Sequence, residues 1–193
     1  MGEIAGILLA AGRSSRFGAD KLLHPLPDGT PIGVAAARHL LEAVPLTIAV
    51  VPPDNPRLYD LLHDAGCRVR VNPRATDGMG SSIAAGVGRS RDAAGWLIAL
   101  ADMPWIRPET IQSLVQRLSA GATTTAPVYQ GRRGHPVGFS AEWGDRLCAL
   151  EGDAGARRLI AANGGRMELV RSSDPGVVRD VDHPGDLGLP DAP

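Results

Sequence analysis

The stretch IAGILLAAGRSSRFGADK (residues 4–21) carries the two signals that decide the fold. Residues 4–9 are continuously apolar, which is typical of a parallel strand covered on both faces. Directly after them the composition changes to glycine, serine, arginine and lysine. A buried strand that runs into such a loop predicts the first unit of an α/β sheet, with the loop at the carboxyl end of the strand.

Strand and helix patterns alternate along the chain after residue 21. We interpret three further segments as strands covered on both faces: 46–51, 68–71 and 96–101. Helical patterns lie between and after them: 31–43, 55–65, 81–87 and 108–120. The alternation predicts right-handed βαβ units and a mostly parallel sheet.

The second half of the chain changes this rhythm. Strand patterns occur at 123–129, 136–139, 167–171 and 177–181, and helical patterns at 141–150 and 153–162. We interpret them as an antiparallel excursion of the same sheet. The fold class expected is therefore a Rossmann-like, three-layer αβα fold. It forms a single domain over residues 1–193, with an ordered core at about 3–188.

Composition excludes some classes of function. The chain has 193 residues, 44% of them hydrophobic, and a net charge of -1 from 20 basic and 21 acidic residues. This balance argues against nucleic-acid or membrane binding through a global field. The apolar run near the start is too short to span a membrane. Cys67 and Cys148 lack metal-like spacing, which favours a reduced, cytoplasmic protein.

The loop after the first strand has the chemistry of an anion site. Ala11 and Gly12 let backbone N–H groups approach a ligand, and Arg13, Arg16 and Lys21 add positive charge. The spacing matches neither a P-loop nor a dinucleotide fingerprint. These residues alone leave two interpretations open, a triphosphate site or a flexible surface turn with solvated arginines.

Carboxylates follow other predicted strands. Asp102 comes after the strand pattern 96–101, and Asp180 and Asp182 lie at the end of 177–181. Because ligands bind at the carboxyl ends of parallel strands, these groups and the first loop are expected to form one crevice. Each aspartate has an alternative role as a turn or helix-capping residue, since Pro104 and Pro184 follow closely.

The ordered set of motifs resembles the molybdenum cofactor cytidylyltransferases of the MobA-like NTP transferase superfamily. The resemblance is carried by LLAAGRSSRFGADK, NPRATDGMGSSIAAGV, ALADMPWI, APVYQGRRGHPVGFS, GDAGARRLI and VVRDVDHPGDL, in that order along nearly the whole chain. The chain departs from the family pattern at His183 and at Trp105-Ile106. These departures leave second-substrate preference or local packing open.

The resemblance implies roles for the first loop and the carboxylates. The backbone of Leu9, Ala10, Ala11 and Gly12 would approach the nucleotide. Arg16 and Lys21 would neutralise phosphate charge as pyrophosphate leaves. Asp102 and Asp182 would bind Mg²⁺, with Mn²⁺ as an alternative, and Asp180 is a weaker candidate. The sequence LAAG resembles members that use CTP, whereas guanylyltransferases usually have LAGG, so Ala11 favours CTP.

Two further segments receive roles from the resemblance. Gly78, Gly80, Ser81 and Ser82 would contact the base and ribose, although either serine could instead cap the helix that begins there. Gly134, His135 and Pro136, next to Arg132 and Arg133, would lie on the side of a pterin substrate. The alternative for this segment is a hairpin turn with solvated arginines.

The resemblance implies transfer of CMP from CTP to molybdopterin. Its product would pass to molybdenum hydroxylases or their maturation factors, and no nucleic acid or membrane partner is expected. Alternative hypotheses are a GTP-using guanylyltransferase, a cytidylyltransferase for a sugar or polyol phosphate, and a non-catalytic cofactor carrier.

Overall fold

The protein was analysed as a computed structural model that describes residues 2–12, 17, 20–153, 155–162 and 166–188. Its strands are β1 (Ile4–Leu9), β2 (Thr47–Val51), β3 (Arg68–Val71), β4 (Gly95–Leu100), β5 (Thr124–Tyr129), β6 (Arg132–Arg133), β7 (Val137–Ser140) and β8 (Glu168–Arg171). Its α-helices are α1 (Ile32–Ala43), α2 (Pro56–Asp64), α3 (Met79–Gly88), α4 (Pro108–Ser119), α5 (Gly144–Cys148) and α6 (Arg157–Ala162).

The strands form one mixed sheet in the order β3-β2-β1-β4-β7-β5-β6, with β8 paired to β5. β1 pairs in parallel with both β2 and β4. The chain therefore adds β2 and β3 on one side of β1 and then places β4 on the other side. β7 is antiparallel to both β4 and β5. The predicted αβα fold with an antiparallel excursion is confirmed, and its topological switch point lies between β1 and β4.

The two faces of the sheet carry separate cores. Consecutive residues of β1 point to opposite faces, so Leu8 packs in one cluster with Leu40 of α1 and Leu114 of α4. Ile7 packs in the other cluster with Ile83 of α3 and with Trp96. Both faces of β1 are thus buried, which explains its continuous apolar run.

The prediction that 68–71 is covered on both faces is wrong. This segment is the edge strand β3, and most of its residues are exposed. Its sequence RVRV alternates charged and apolar side chains, as a half-covered edge strand does.

The prediction of a strand at 177–181 is also wrong. Pro175–Val178 form a 3-10 helix with Asp174 as its N-cap, whose side chain accepts from Gly176 N. Proline just after a capping aspartate favours a helical turn over a strand. The predicted helix at 141–150 is divided into a 3-10 turn, Ala141–Trp143, and the short α5.

Both cysteines are free thiols, and burial raises the pKa of Cys67 to about 12. In the part of the chain that the structure describes, every helix is too short or too polar to cross a membrane.

Candidate active site

A cavity of about 630 Å³ opens at the switch point between β1 and β4. Leu9, Ala11 and Gly12 line it from the end of β1, and Asp102 lines it from the end of β4. Ser82 of α3 is also among the lining residues. The sheet topology therefore brings Ala11 and Gly12 of the first loop and the carboxylate after β4 to one crevice, and the start of α3 lies there too.

An acidic cluster lies beside this cavity. Asp102, Asp180 and Asp182 each offer a carboxylate oxygen, and these atoms lie within 4.8 Å of one another. The segment with Asp180 and Asp182 is joined to the end of β4 because Val181 N donates to Asp102 O at 2.9 Å. This one backbone hydrogen bond, rather than pairing between two strands, brings Asp180 and Asp182 close to Asp102.

A carboxylate outside the cluster, that of Asp186, stabilises the turn that follows Asp182. Asp186 Oδ2 accepts hydrogen bonds from the backbone N–H groups of Asp182 and His183, at 2.8 and 2.7 Å. These hydrogen bonds, above all that from His183, lower the pKa of Asp186. Asp186 therefore uses its charge to hold the turn that follows Asp182.

Lys21 contacts two members of the acidic cluster. Its Nζ lies 2.9 Å from Asp102 Oδ2 and 3.5 Å from Asp182 Oδ1, and its side chain is only 12% exposed. Asp20 caps the 3-10 turn Lys21–Leu23 by accepting from Leu22 N. Clustered carboxylate oxygens suit a hard divalent ion such as Mg²⁺.

Asp174 anchors the segment that carries Asp180 and Asp182. Its carboxylate is buried and accepts from Arg107 N at 2.8 Å, Thr110 Oγ1 at 2.9 Å and Gly176 N at 2.9 Å. The Asp174 side chain thereby joins the first turn of α4 to the 3-10 helix Pro175–Val178. Sequence reasoning did not single out Asp174, since an aspartate before proline resembles an ordinary turn residue.

Replacing Asp174 by alanine is expected to lower the free energy of unfolding by about 3 kcal/mol, because three donors lose a charged acceptor. Urea denaturation measures this loss. Asp28→Ala is the matched control, since Asp28 is exposed and accepts from the neighbouring Thr30 N at 2.9 Å. If the Asp174→Ala variant were as stable as the Asp28→Ala variant, this would contradict the anchoring role of Asp174.

The start of α3 differs from expectation in its cap. The N-cap is Gly78, with a φ of 102°, and neither serine caps the helix. Ser81 Oγ instead donates to Arg74 O at 2.6 Å and also lies 2.9 Å from Gly78 O. A Cβ on Gly78 would lie 2.4 Å from Gly152 C, and a Cβ on Gly80 would lie 2.8 Å from Glu151 O. In this structure, both glycines permit close approach of the chain's own 151–153 segment.

A second cavity, of about 410 Å³, shares Leu9, Met79, Leu100 and Asp153 with the first. Its walls combine apolar and cationic side chains, which are Ile83, Ile98, Val137, Phe139, Ile160, Arg133 and Arg157. Gly134, His135 and Ala156 also line it. The two cavities adjoin, so ligands in them would meet at these shared residues.

His135 lies between the second cavity and the carboxylates. Its backbone N donates to Val177 O at 2.8 Å, and its bond to Pro136 is cis. Burial lowers the pKa of His135, and Asp102 and Asp180 act in the opposite direction. Its Nδ1 is buried and has no hydrogen-bond partner among the described residues. The arrangement favours a neutral imidazole at the edge of the cavity.

The structure brings many of the predicted site residues together, but Gly80, Ser81 and Pro136 line neither cavity. Two further qualifications apply. Arg16 and Arg13 lie outside the described residues. Ala10 is buried, and its N–H donates to Val50 O rather than facing the first cavity. Sequence reasoning missed Asn72, a buried amide that contacts both predicted serines. Its only signal was its position at the head of the NPRATDG motif.

Comparison with known proteins identifies the family. Residues 6–168 match the MobA-like NTP transferase domain. The chain belongs to this family. Two relatives are each 29% identical to it: the nicotine blue oxidoreductase of Paenarthrobacter nicotinovorans and the purine catabolism protein PucB of Bacillus subtilis. The alignments cover 93% and 96% of this chain, and 92% and 95% of the relatives.

Two further proteins are similar to the chain. A probable molybdenum cofactor guanylyltransferase of Mycobacterium tuberculosis is 27% identical over 82% of this chain and 78% of its own length. The solved structure of an Rv0371c homologue from Mycobacterium sp. strain JC1 is 28% identical, with a TM-score of 0.82 over 95% and 92% of the two chains. The superfamily assignment made from the sequence is confirmed.

Proposed function

We propose that this MobA-like NTP transferase transfers CMP from CTP to molybdopterin, giving molybdopterin cytosine dinucleotide and pyrophosphate. The observation that carries the proposal is the contact of Lys21 with Asp102, which lines the first cavity, and with Asp182. A cationic group and clustered carboxylates at one edge of a cavity are what binding of a metal-bound triphosphate requires.

The carboxylates fit a divalent metal, with Asp102 and Asp182 as ligands for Mg²⁺ and Mn²⁺ as an alternative. Such an ion supplies charge neutralisation to the triphosphate. The solved Rv0371c protein of Mycobacterium tuberculosis has been crystallised with manganese; at 24% identity that structure supports the fold. The acidic cluster of this chain is the observation that supports a metal.

The reaction makes modest demands on the protein. A phosphate oxygen of molybdopterin attacks the α-phosphorus of CTP, and the bond from that phosphorus to the bridging oxygen of the β-phosphate breaks. Pyrophosphate leaves with the electron pair. The attacking phosphate is ionised near neutral pH, so no general base is needed. Lys21 stabilises developing charge, and the walls of the cavity orient the triphosphate.

The second cavity suits the acceptor. Apolar walls formed by Ile98 and Phe139 accommodate a flat heterocycle, and Arg133 and Arg157 supply cations for its phosphate. The shared lining residues place the acceptor next to the triphosphate. Residues 1–193 are proposed to form one domain that acts in the cytoplasm. The product is proposed to pass to molybdenum hydroxylases or their maturation factors.

A second candidate is the GTP-using guanylyltransferase, which the names of the mycobacterial relatives favour. Ala11, which lines the first cavity, favours CTP through the LAAG pattern. Pyrophosphate release with CTP, GTP, ATP and UTP, each with and without molybdopterin, decides between them. The expected result is release that requires molybdopterin and is fastest with CTP. Faster release with GTP would overturn the choice of base, and release independent of molybdopterin would overturn the acceptor.

A further inference from the structure

Asn55 is a polar residue at the start of α2 that contacts the residue before Lys21. Its Oδ1 accepts from Leu58 N at 3.0 Å and so caps the helix. A backbone N–H can only donate, so the amide oxygen must face Leu58. The Nδ2 group donates to Asp20 Oδ2, which lies 35 positions earlier in the chain. The capping contact therefore fixes which end of the Asn55 amide meets Asp20.

Asp20 connects this amide to the turn that carries Lys21. Its Oδ1 accepts from Leu22 N at 3.2 Å, and its backbone carbonyl accepts from Leu23 N at 3.1 Å. Both of these contacts lie within the turn itself. Among the described residues, the hydrogen bond from Asn55 is the one that joins the Asp20 side chain to a distant part of the chain. Its loss would leave the position of Lys21 less constrained.

We propose that Asn55 is a positioning residue: acting through Asp20, it holds Lys21 in reach of the acidic cluster. This inference rests on the proposed function, in which the lysine stabilises the charge of the leaving pyrophosphate. Lysine has a long and flexible side chain, so its ammonium group is placed reliably only when the backbone that carries it is held. Asn55 lines neither cavity and is not in the acidic cluster, so its effect on the site passes through the loop.

Exchanging the two side chains tests the inference. Asn55→Asp keeps the cap of α2, since aspartate also accepts from Leu58 N, but it sets a second carboxylate against Asp20. Asp20→Asn keeps the acceptor for Leu22 N, but it sets two amide donors against each other. The double variant again pairs one donor with one acceptor, with the polarity of the hydrogen bond reversed.

Pyrophosphate release from CTP and molybdopterin measures the effect on the reaction. Each single substitution is expected to lower kcat about tenfold, with a smaller change in the KM for CTP, because the lysine acts on charge that develops in the transition state. The double variant is expected to recover to within about twofold of the wild-type kcat. A residue that serves only to cap α2 would give no such recovery.

Binding of Mn²⁺ alone, followed by electron paramagnetic resonance, separates positioning from charge. Asn55→Asp adds a negative charge and Asp20→Asn removes one, so charge alone would move the affinity in opposite directions. Both substitutions are instead expected to raise the affinity about threefold, because both loosen the ammonium that competes for the carboxylates. The double variant should return it to the wild-type value. In a Lys21→Met background, neither single substitution should raise it further.

Asp54→Asn is the matched control, since it changes the charge as Asp20→Asn does at an exposed position next to Asn55. It should leave kcat and Mn²⁺ affinity near the wild-type values. If thermal unfolding shows that Asn55→Asp does not fold, Asn55→Ser replaces it, because serine keeps the cap but is too short to reach Asp20. The comparison with the Lys21→Met background then decides the question.

The outcomes distinguish this inference from the proposed function. Unchanged kcat in the single variants, a double variant that is no better than they are, or Mn²⁺ affinities that move in opposite directions overturns the positioning role and leaves the proposed reaction standing. Wild-type protein that releases no pyrophosphate from any nucleotide overturns the proposed function, and the Mn²⁺ titrations still decide whether Asn55 holds Lys21.

Discussion

Replacing Asp102 by asparagine is expected to lower kcat for pyrophosphate release from CTP and molybdopterin by about 10³-fold. The substitution keeps the shape but removes the charge from the carboxylate that lies 2.9 Å from Lys21 and within the acidic cluster. Asparagine also keeps the backbone carbonyl that accepts from Val181 N. The loss is therefore expected in a folded protein.

The measurement is a pyrophosphate-release assay, with thermal unfolding run on the same samples. Asp180→Asn is the matched control, since Asp180 is in the same cluster but is exposed and is not in contact with Lys21. The Asp180→Asn substitution should lower kcat by less than tenfold. Full activity of Asp102→Asn would contradict the metal and charge assignment of Asp102.

Replacing Lys21 by methionine is expected to have two effects of opposite sign. The kcat should fall about 10²-fold, because a cation that stabilises the leaving pyrophosphate is lost. The affinity for Mn²⁺ alone should rise about tenfold, because the ammonium group no longer neutralises Asp102 and Asp182. Methionine keeps most of the length of the side chain, which limits the change in packing.

Electron paramagnetic resonance of free Mn²⁺, titrated without nucleotide, reads the second effect independently of catalysis. Lys21→Arg is the control that keeps the charge, and it should bind Mn²⁺ with near wild-type affinity. Unchanged or weaker Mn²⁺ binding by Lys21→Met would show that the lysine does not compete with a metal for these carboxylates.

Much of the site could be predicted because its residues follow directly from strand ends. Residues 4–9 and 95–100 are apolar on both faces, and parallel strands have their carboxyl ends at one edge of a sheet. Lys21 and Asp102 were therefore expected in one crevice, where the structure places them 2.9 Å apart.

The missed features depend on contacts between distant segments. β3 was expected to be covered on both faces; the alternation in RVRV fits a half-covered strand, but its place at the sheet edge depends on which strands pair with it. Asp174 resembles a local turn residue until α4 supplies Arg107 N and Thr110 Oγ1 as donors. The contacts of Asn72 likewise depend on Ser81 and Ser82, which another element carries. Local patterns predict elements well and predict such partners poorly.

The hydrogen bond from Val181 to Asp102 has a consequence for how the protein becomes active. Lys21 and Asp182 are separated by 161 positions along the chain. β1 to β4 can pair through contacts among the first hundred or so residues, but the acidic cluster must wait for the segment near residue 180. During synthesis on a ribosome, the pairing of β1 to β4 can therefore form before the enzyme is competent, and the growing chain acquires catalytic ability only after the segment near residue 180 has been made.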